Sequence, residues 1–251
     1  MDAILRTMRL ERIEGRIRRR ILVNFRVDRE VARRLVPDVF DLDLVGGGAM
    51  AGVCLIRLEA MRPGRLPAGV GLSSENAAYR FAVTRDHGRA PAVYIPRRDT
   101  SSALQARLGG RFFPGEYGRI NVDAADRDGR IAIDIETTNH DGDVRLRAHE
   151  TTAFPAGSAF GSLDEASAFF ARGALGFSAR RSGDRLDGVL LNVPSWRVSS
   201  LVVDSIESAF LADRAKFPSG SVIFDNALIM RDAAHEWRAL GDHPSRASRA
   251  A

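Results

Sequence analysis

Three consecutive runs between residues 117 and 151 alternate apolar and polar side chains: YGRINVDA, GRIAIDIET and DVRLRAHET. In the middle run Ile131, Ile133 and Ile135 fall on one face of an extended chain, and charged residues fall on the other. The turn sequences RDG and HDGD separate the runs. A period of two between turns is typical of half-buried antiparallel strands. The segment therefore predicts an antiparallel sheet as the basis of the fold.

Helical patterns are few and short. Asp28 is placed to N-cap a helix over REVARRLV, and Ser162 with Glu165 forms a capping-box pattern before DEASAFFARG. The stretch DSIESAFLADRAKFPS predicts a helix or a partly helical connection between two strand-like runs. Because strands outnumber helices, we predict an α+β fold of mainly antiparallel curved sheets or a β-barrel, with a few flanking helices.

Neither an internal repeat nor a low-complexity linker divides the 251 residues. We therefore predict a single domain over residues 1–238. The last stretch, ALGDHPSRASRAA, has the composition of a flexible tail over residues 239–251.

Composition argues against membranes and nucleic acids as partners. No apolar run approaches the ~20 residues that span a bilayer, and MDAILRTMRLERIEGRIRRR lacks the apolar core of a signal peptide, which favours a cytoplasmic protein. The net charge is only +5, with both signs interleaved, and the chain carries a single lysine, Lys216. No helix-turn-helix, zinc-knuckle or aromatic-basic pattern appears, so we expect no nucleic-acid binding.

The sequence also lacks patterns for metals and cofactors. No pair among its five histidines has metal-ligand spacing, and its GGG run lacks the context of a phosphate loop, so we expect neither metal nor cofactor. The single cysteine, Cys54, lies in the apolar run AMAGVCLIRL and is interpreted as a small core residue.

Two segments carry polar residues where a strand would be apolar. One interpretation of GLSSENAAYR is that Glu75 and Asn76 point into a cavity. The other is that Glu75 faces solvent or caps a turn. In YIPRRDTSS, Arg97 and Arg98 either pair with carboxylates at a strand end or form the floor of a site. Because adjacent residues on an extended chain point to opposite sides, at most one arginine faces a cavity.

The residues after the arginines predict a helix over SALQARLGG. Its N-cap is expected at Asp99, Thr100 or Ser101, whose side-chain oxygens accept hydrogen bonds from the first turn.

At these two segments the sequence resembles the acetoacetate decarboxylase-like superfamily, and more closely a branch of uncharacterised conserved bacterial proteins that carry similar blocks. FRVDREVARRLVPDVFDLDL follows the same pattern as the decarboxylases. Glu75 falls where those enzymes keep an active-site glutamate, and YIPRRD falls where they carry Tyr-Pro-Lys-Lys. The resemblance implies an acetoacetate decarboxylase-like fold with a pocket, and it makes a homo-oligomer plausible.

The resemblance departs from the enzymes at the decisive residue. Arg97 stands where the first lysine of that pair forms a Schiff base. A guanidinium, whose pKa lies above ~12, stays protonated and cannot act as the amine nucleophile. Lys216 lies far along the chain and is expected near the surface. We therefore do not expect Schiff-base decarboxylation.

Three hypotheses for function follow. The first is a pocket that binds a small organic anion, a carboxylate or keto acid, through Arg97 with Glu75, supported by Arg98, Tyr94 and Asn76. The second is a lyase or isomerase on a small keto or hydroxy acid, with Glu75 as acid or base and Arg97 as a second catalytic residue. The third has no ligand: the Arg–Glu pair is a buried structural ion pair in an interaction module.

Overall fold

A computed structural model describes residues 12–64, 66–67, 71–109, 115–180 and 185–244. Thirteen strands and four short helices lie within these ranges. The strands are β1 (Arg12–Val27), β2 (Asp41–Leu42), β3 (Leu44–Val45), β4 (Gly48–Pro63), β5 (Leu72–Arg85), β6 (Ala90–Thr100), β7 (Gly118–Arg127), β8 (Arg130–Thr137), β9 (Val144–Thr151), β10 (Leu175–Ala179), β11 (Arg185–Asn192), β12 (Ser199–Ser208) and β13 (Val222–Pro244). The helices are α1 (Arg29–Leu35), α2 (Ala103–Leu108), α3 (Leu163–Ala171) and α4 (Ala209–Ala212).

The strands form one mixed sheet that closes on itself. β1, β4, β5, β6, β7, β8, β9, β12 and β13 follow one another as neighbours, and β13 pairs again with β1. The ring is not a regular barrel, because β6 joins β7 through only two parallel residue pairs. Most other pairings are antiparallel. The predicted α+β fold of curved sheets is confirmed, with the barrel in this irregular form.

Two long strands allow the sheet to enclose a second space. The first part of β13 pairs with β12 and its last part with β11, while the first part of β6 pairs with β10. We call β13, β1, β4, β5 and β6 the shared wall. One side of this wall carries the main core, and the other carries a second core that includes Phe169 and Phe170 of α3.

Local capping explains where the helices begin. Asp28 accepts hydrogen bonds from the backbone of Glu30 and Val31 before α1, as predicted. Ser162 accepts from the Glu165 backbone before α3, which confirms the second predicted cap. The predicted cap of α2 is wrong.

The cap of α2 is Ser102, whose hydroxyl accepts from the backbone of Gln105. Asp99 and Thr100 cannot cap this helix because β6 continues through them, and Thr100 itself accepts from the Ser102 backbone.

The expected tail is wrong for residues 239–244. β13 runs to Pro244, and its last residues pair with β11, with Ala239 opposite Val189 and His243 opposite Leu186. Residues 245–251 lie outside the described residues, and a single domain over 1–238 stays a prediction. None of the helices described is long and apolar enough to cross a membrane.

Candidate functional site

Glu75 lies in a buried ion-pair network on the main-core side of β5. Its carboxylate accepts from Nη2 of Arg19 at 3.0 and 3.1 Å and from Nη1 of Arg57 at 3.4 Å. Arg19 is only 3% exposed and also pairs with Asp126 of β7 at 3.7 Å. Glu75 is therefore a counter-ion of Arg19. The ion pair of Arg19 with Asp126 links the shared wall to the opposite side of the ring.

Arg97 lies on the same side of the sheet but has other partners. Its Nε donates to Asp99 at 2.7 Å, and its Nη1 lies 2.8 Å from Asp141. Burial raises the pKa of Asp99, and the charge of Arg97 opposes that rise. Arg97 is opposite Tyr79, four residues along β5 from Glu75, which corresponds to roughly 13 Å. The predicted contact between Arg97 and Glu75 is therefore not formed.

A β-bulge decides which arginine faces the second core. Tyr79 of β5 pairs with Arg97, but Phe81 pairs with Tyr94, so β6 holds one extra residue between these pairs. The bulge consists of Ile95 and Pro96, which lie opposite Arg80. Proline is tolerated there because a residue in a bulge does not have to donate an N–H to the neighbouring strand. As a result Arg97 shares the main-core side with Tyr94, and Arg98 turns to the other side.

The remaining predicted ligand residues divide in the same way. Tyr94 packs in the main core, 6.0 Å from the ring of Phe40, where burial raises the pKa of its hydroxyl. Asn76 lies on the side of Arg98 and donates to the backbone of Ile56 and Ser74. Of the five predicted site residues, Asn76 and Arg98 line one cavity together, and Arg97 and Arg98 line a separate open cleft.

This cavity, which we call the arginine cavity, has a volume of about 110 Å³. It lies between the shared wall, β10 and β11, with Phe169 and Phe170 of α3 on its lining. Its polar lining residues are Arg20, Asp43, Cys54, Asn76, Arg80, Arg98, Tyr117 and Arg172, and its apolar ones include Leu22, Ile56, Ala78, Val189, Leu191 and Trp237.

Three cross-strand rows of the shared wall form the floor, because every second residue of a strand faces the same side. The rows are the Arg20 row (Arg20, Ile56, Asn76), the central row (Leu22, Cys54, Ala78, Arg98) and the Arg80 row (Asn24, Gly52, Arg80). The central row therefore separates the other two.

Arg80 is held in place by a chain of buried amides. Its Nη2 donates to Oδ1 of Asn24, and its guanidinium lies 4.8 Å from the ring centroid of Phe170. Asn24 in turn donates to Asn226 at 2.7 Å, and Asn226 donates to buried Asp225 at 2.7 Å. Burial lowers the pKa of Arg80 to about 10, and the charge of Arg20 adds to that effect.

Arg20 and Arg98 also have neutral partners. Nε of Arg20 lies 3.4 Å from Sγ of Cys54, and its guanidinium stacks over Trp196. Nε of Arg98 donates to the Ser178 hydroxyl at 2.6 Å. Nη1 of Arg20 and Nε of Arg80 are buried and have no hydrogen-bond partner among the described residues.

Within the described residues, neither Arg20, Arg80 nor Arg98 forms an ion pair with a carboxylate. The one carboxylate among the described lining residues is Asp43, which pairs with Arg172 at 3.1 Å. Burial raises the pKa of Asp43, and Arg172 opposes the rise. The cavity can thus bind an anion or stabilise an enolate oxygen at its guanidinium groups.

Sequence reasoning missed Arg20 and Arg80. A signal for Arg80 existed, since it is the one charged residue in the apolar run NAAYRFAV. A strand this apolar is expected to be buried on both faces, and a charged side chain on it then has no path to water. Arg20 belongs to the basic run RIRRR, where nothing local separates an arginine that lines the cavity from the other arginines of the run.

Lys216 lies closer to Arg97 than sequence distance indicated. Both line a shallow cleft with Phe210, whose ring centroid is 5.1 Å from Nζ of Lys216. Lys216 is partly exposed, and its Nζ lies 2.8 Å from Asp213. No cluster of three or more metal-ligating side chains occurs in the described ranges.

Solved structures identify the class of fold. An acetoacetate decarboxylase from Legionella pneumophila covers 92% of this chain and 88% of its own length, with a TM-score of 0.61 at 8% identity. An acetoacetate decarboxylase-like enzyme from Sphingomonas wittichii RW1 covers 93% of each chain, with a TM-score of 0.55 at 16% identity. MppR, an enduracididine biosynthesis enzyme solved with pyruvate, covers 93% and 89%, with a TM-score of 0.53 at 11% identity. The protein has the acetoacetate decarboxylase-like fold.

The family is narrower than the fold. Residues 14–227 match the model of DUF2071, described as an uncharacterized conserved protein, and the chain belongs to this family. No curated protein matches the chain significantly.

Proposed function

We propose that the protein binds a small organic anion in the arginine cavity, through Arg20, Arg80 and Arg98. The observation that carries this proposal is the absence of an ion-paired carboxylate for these three guanidinium groups among the described residues. Arg80 is buried and Arg20 and Arg98 are half-buried, and burying a charge without a counter-ion costs several kcal/mol. A bound carboxylate would supply the missing charge.

The unsatisfied donors support the same proposal. Nη1 of Arg20 and Nε of Arg80 are buried, and no acceptor for them occurs in the part of the chain that the structure describes. A carboxylate offers up to four lone pairs, and each charge-assisted hydrogen bond contributes about 1.5–3 kcal/mol. The ring of Phe170 and the other apolar lining keep the site poor in water, which strengthens these bonds.

The size of the cavity favours a small ligand. Its volume of about 110 Å³ equals roughly four waters at ~30 Å³ each and is below the ~300–1,000 Å³ of sites for drug-sized molecules. A keto acid of a few carbons is in the right range, and the structural neighbour MppR has been solved with pyruvate.

The proposed site replaces the pairing of Arg97 with Glu75. Arg97 is neutralised by Asp99 and Asp141, and Glu75 by Arg19, so neither is available to a ligand without breaking an ion pair. The proposed function is also distinct from Schiff-base decarboxylation, because guanidinium groups stand at both positions of the lysine pair.

Calorimetric titration with pyruvate at fixed pH and ionic strength tests the proposal. We expect Arg20→Gln to weaken binding at least tenfold, since it removes a buried donor from the cavity. Arg16→Gln is the matched control on the same strand, because Arg16 is largely exposed and lies 3.5 Å from Asp232. Thermal melts confirm that each variant is folded. Wild-type protein that binds neither pyruvate nor other small carboxylates, or equal losses in both variants, would contradict the proposal.

A further inference from the structure

We infer that the ligand of the arginine cavity is a short dicarboxylate, with one carboxylate at Arg20 and the other at Arg80 and Arg98. This inference rests on the proposed function and names the class of anion. The charges on the lining, their placement on the shared wall and the volume of the cavity lead to it.

The charge on the lining exceeds what one carboxylate can balance. Arg20, Arg80 and Arg98 contribute three positive charges, while Asp43 is matched by Arg172. A monocarboxylate would leave two of the three uncompensated in a site of low dielectric constant. Burial is the main cause of the lowered pKa of Arg80, and repulsion from the charge of Arg20 adds to it. A second negative charge on the ligand reduces the repulsion among the three guanidinium groups further.

The rows place positive charge at two ends of the floor. Arg20 is two rows from Arg80, and the central row between them presents Cys54 and Ala78 there. Two rows correspond to four residues, or roughly 13 Å along the strands. The unpartnered atoms, Nη1 of Arg20 and Nε of Arg80, belong to these two ends. The two unpartnered donors thus come from opposite ends of the floor, and Nε of Arg20 reaches Cys54 of the central row at 3.4 Å.

Arg98 joins the Arg80 end. It follows Ala78 in the central row, on the strand next to that of Arg80. One strand spacing of ~4.8 Å and two residues of ~3.3 Å put their α-carbons roughly 8 Å apart. Asn24 of β1 holds Nη2 of Arg80 and Ser178 of β10 holds Nε of Arg98, so a carboxylate between the two arginines would accept from their remaining N–H groups. Arg20 is then left for the second carboxylate.

The volume limits the chain between the two charges. About 110 Å³ accommodates two carboxylates and a short linker, whose methylenes would contact Cys54, Ala78 and the ring of Phe170. A long diacid would exceed this space. Malonate, succinate and glutarate cover the relevant lengths and serve as probes.

The test compares each diacid with its own monomethyl ester by calorimetry on wild-type protein at pH 8. At this pH every free carboxyl group is ionised, so each pair differs by one charge on the same carbon chain. We expect at least one diacid to bind tenfold or more tightly than its ester. In Arg20→Gln this ratio should fall toward one, whereas Arg16→Gln should keep it.

The outcomes separate the two levels of inference. If esters and diacids bind alike, or if pyruvate binds and no diacid does, the dicarboxylate is wrong and anion binding stands. If no carboxylate binds to folded wild-type protein, the proposed function fails as well. Because the charge comparison is made on the wild type, it does not depend on the folding of any variant.

Discussion

Arg80 of β5 donates a hydrogen bond to the side chain of Asn24 on β1, although a whole strand, β4, lies between them. The residue of β4 in this row is Gly52. A Cβ added to Gly52 would lie 2.3 Å from the Val23 backbone oxygen and 3.3 Å from Cα of Asn24. The missing side chain therefore allows β1 and β4 to approach and leaves room for Arg80 to reach across.

We predict that Gly52→Ala lowers the free energy of unfolding by about 3 kcal/mol, since the contact is with backbone and cannot be relieved by a rotamer change. Urea denaturation measures the change. Gly157→Ala is the matched control, because a Cβ there has no neighbour within 4 Å, and it should change stability by less than ~0.5 kcal/mol. A Gly52→Ala variant as stable as the control would show that β1 and β4 can move apart without cost.

The fold was largely predictable because its signals are local. The alternation of Ile131, Ile133 and Ile135 and the caps at Asp28 and Ser162 each depend on a few neighbouring residues, and all appear as predicted. Local signals fail where the conformation of a segment depends on pairing with a strand that is distant in sequence. The composition of residues 239–244 favours a tail, but β11 supplies a partner strand.

The candidate site was less predictable for the same reason. Alternation alone places Arg98, not Arg97, on the side of Tyr94, and only the bulge at Pro96 reverses this. Arg19, which pairs with Glu75, and Asn24, which accepts from Arg80, lie on β1, more than fifty residues earlier in the chain. Sequence pattern identifies such residues as unusual, but the three-dimensional register decides which of them meet.

Arg97 should matter for stability and not for ligand binding. Arg97→Gln removes the cation beside Asp99, which is only 1% exposed. Losing one partner of a buried ion pair costs about 3–5 kcal/mol. Urea denaturation should show this loss, while the affinity of the folded variant for pyruvate stays that of the wild type. Arg98→Gln should show the reverse. A folded Arg97→Gln protein that has lost binding would return the site to Arg97.

His235 should make stability depend on pH. Burial, with the nearby charge of Arg20, lowers its pKa from 6.5 to about 4. The unfolded chain then takes up the proton first as pH falls, so stability is full above pH 6.5 and declines down to about pH 4. Over this range the loss is about 3 kcal/mol at ~1.4 kcal/mol per pKa unit.

Urea denaturation between pH 4 and 7 measures this dependence. Carboxylates also titrate there, so the useful quantity is the difference between wild type and His235→Leu, which should have the shallower slope. His149→Gln is the control, since His149 is exposed beside Asp204. Equal slopes for wild type and His235→Leu would mean that His235 has the same pKa in the folded and the unfolded chain.

Lys216 provides the decisive test of Schiff-base chemistry. It is the one lysine of the chain and shares a cleft with Arg97. Its Nζ pairs with Asp213 at 2.8 Å and lies over the ring of Phe210, so an incoming keto acid would have to displace both contacts to reach the amine. We therefore expect that borohydride reduction in the presence of pyruvate leaves the mass of the intact protein unchanged. Lys216→Arg distinguishes a specific adduct from one at the N-terminal amine. A pyruvate adduct that peptide mapping places on Lys216, and that disappears in Lys216→Arg, would restore amine catalysis to this protein at a new position.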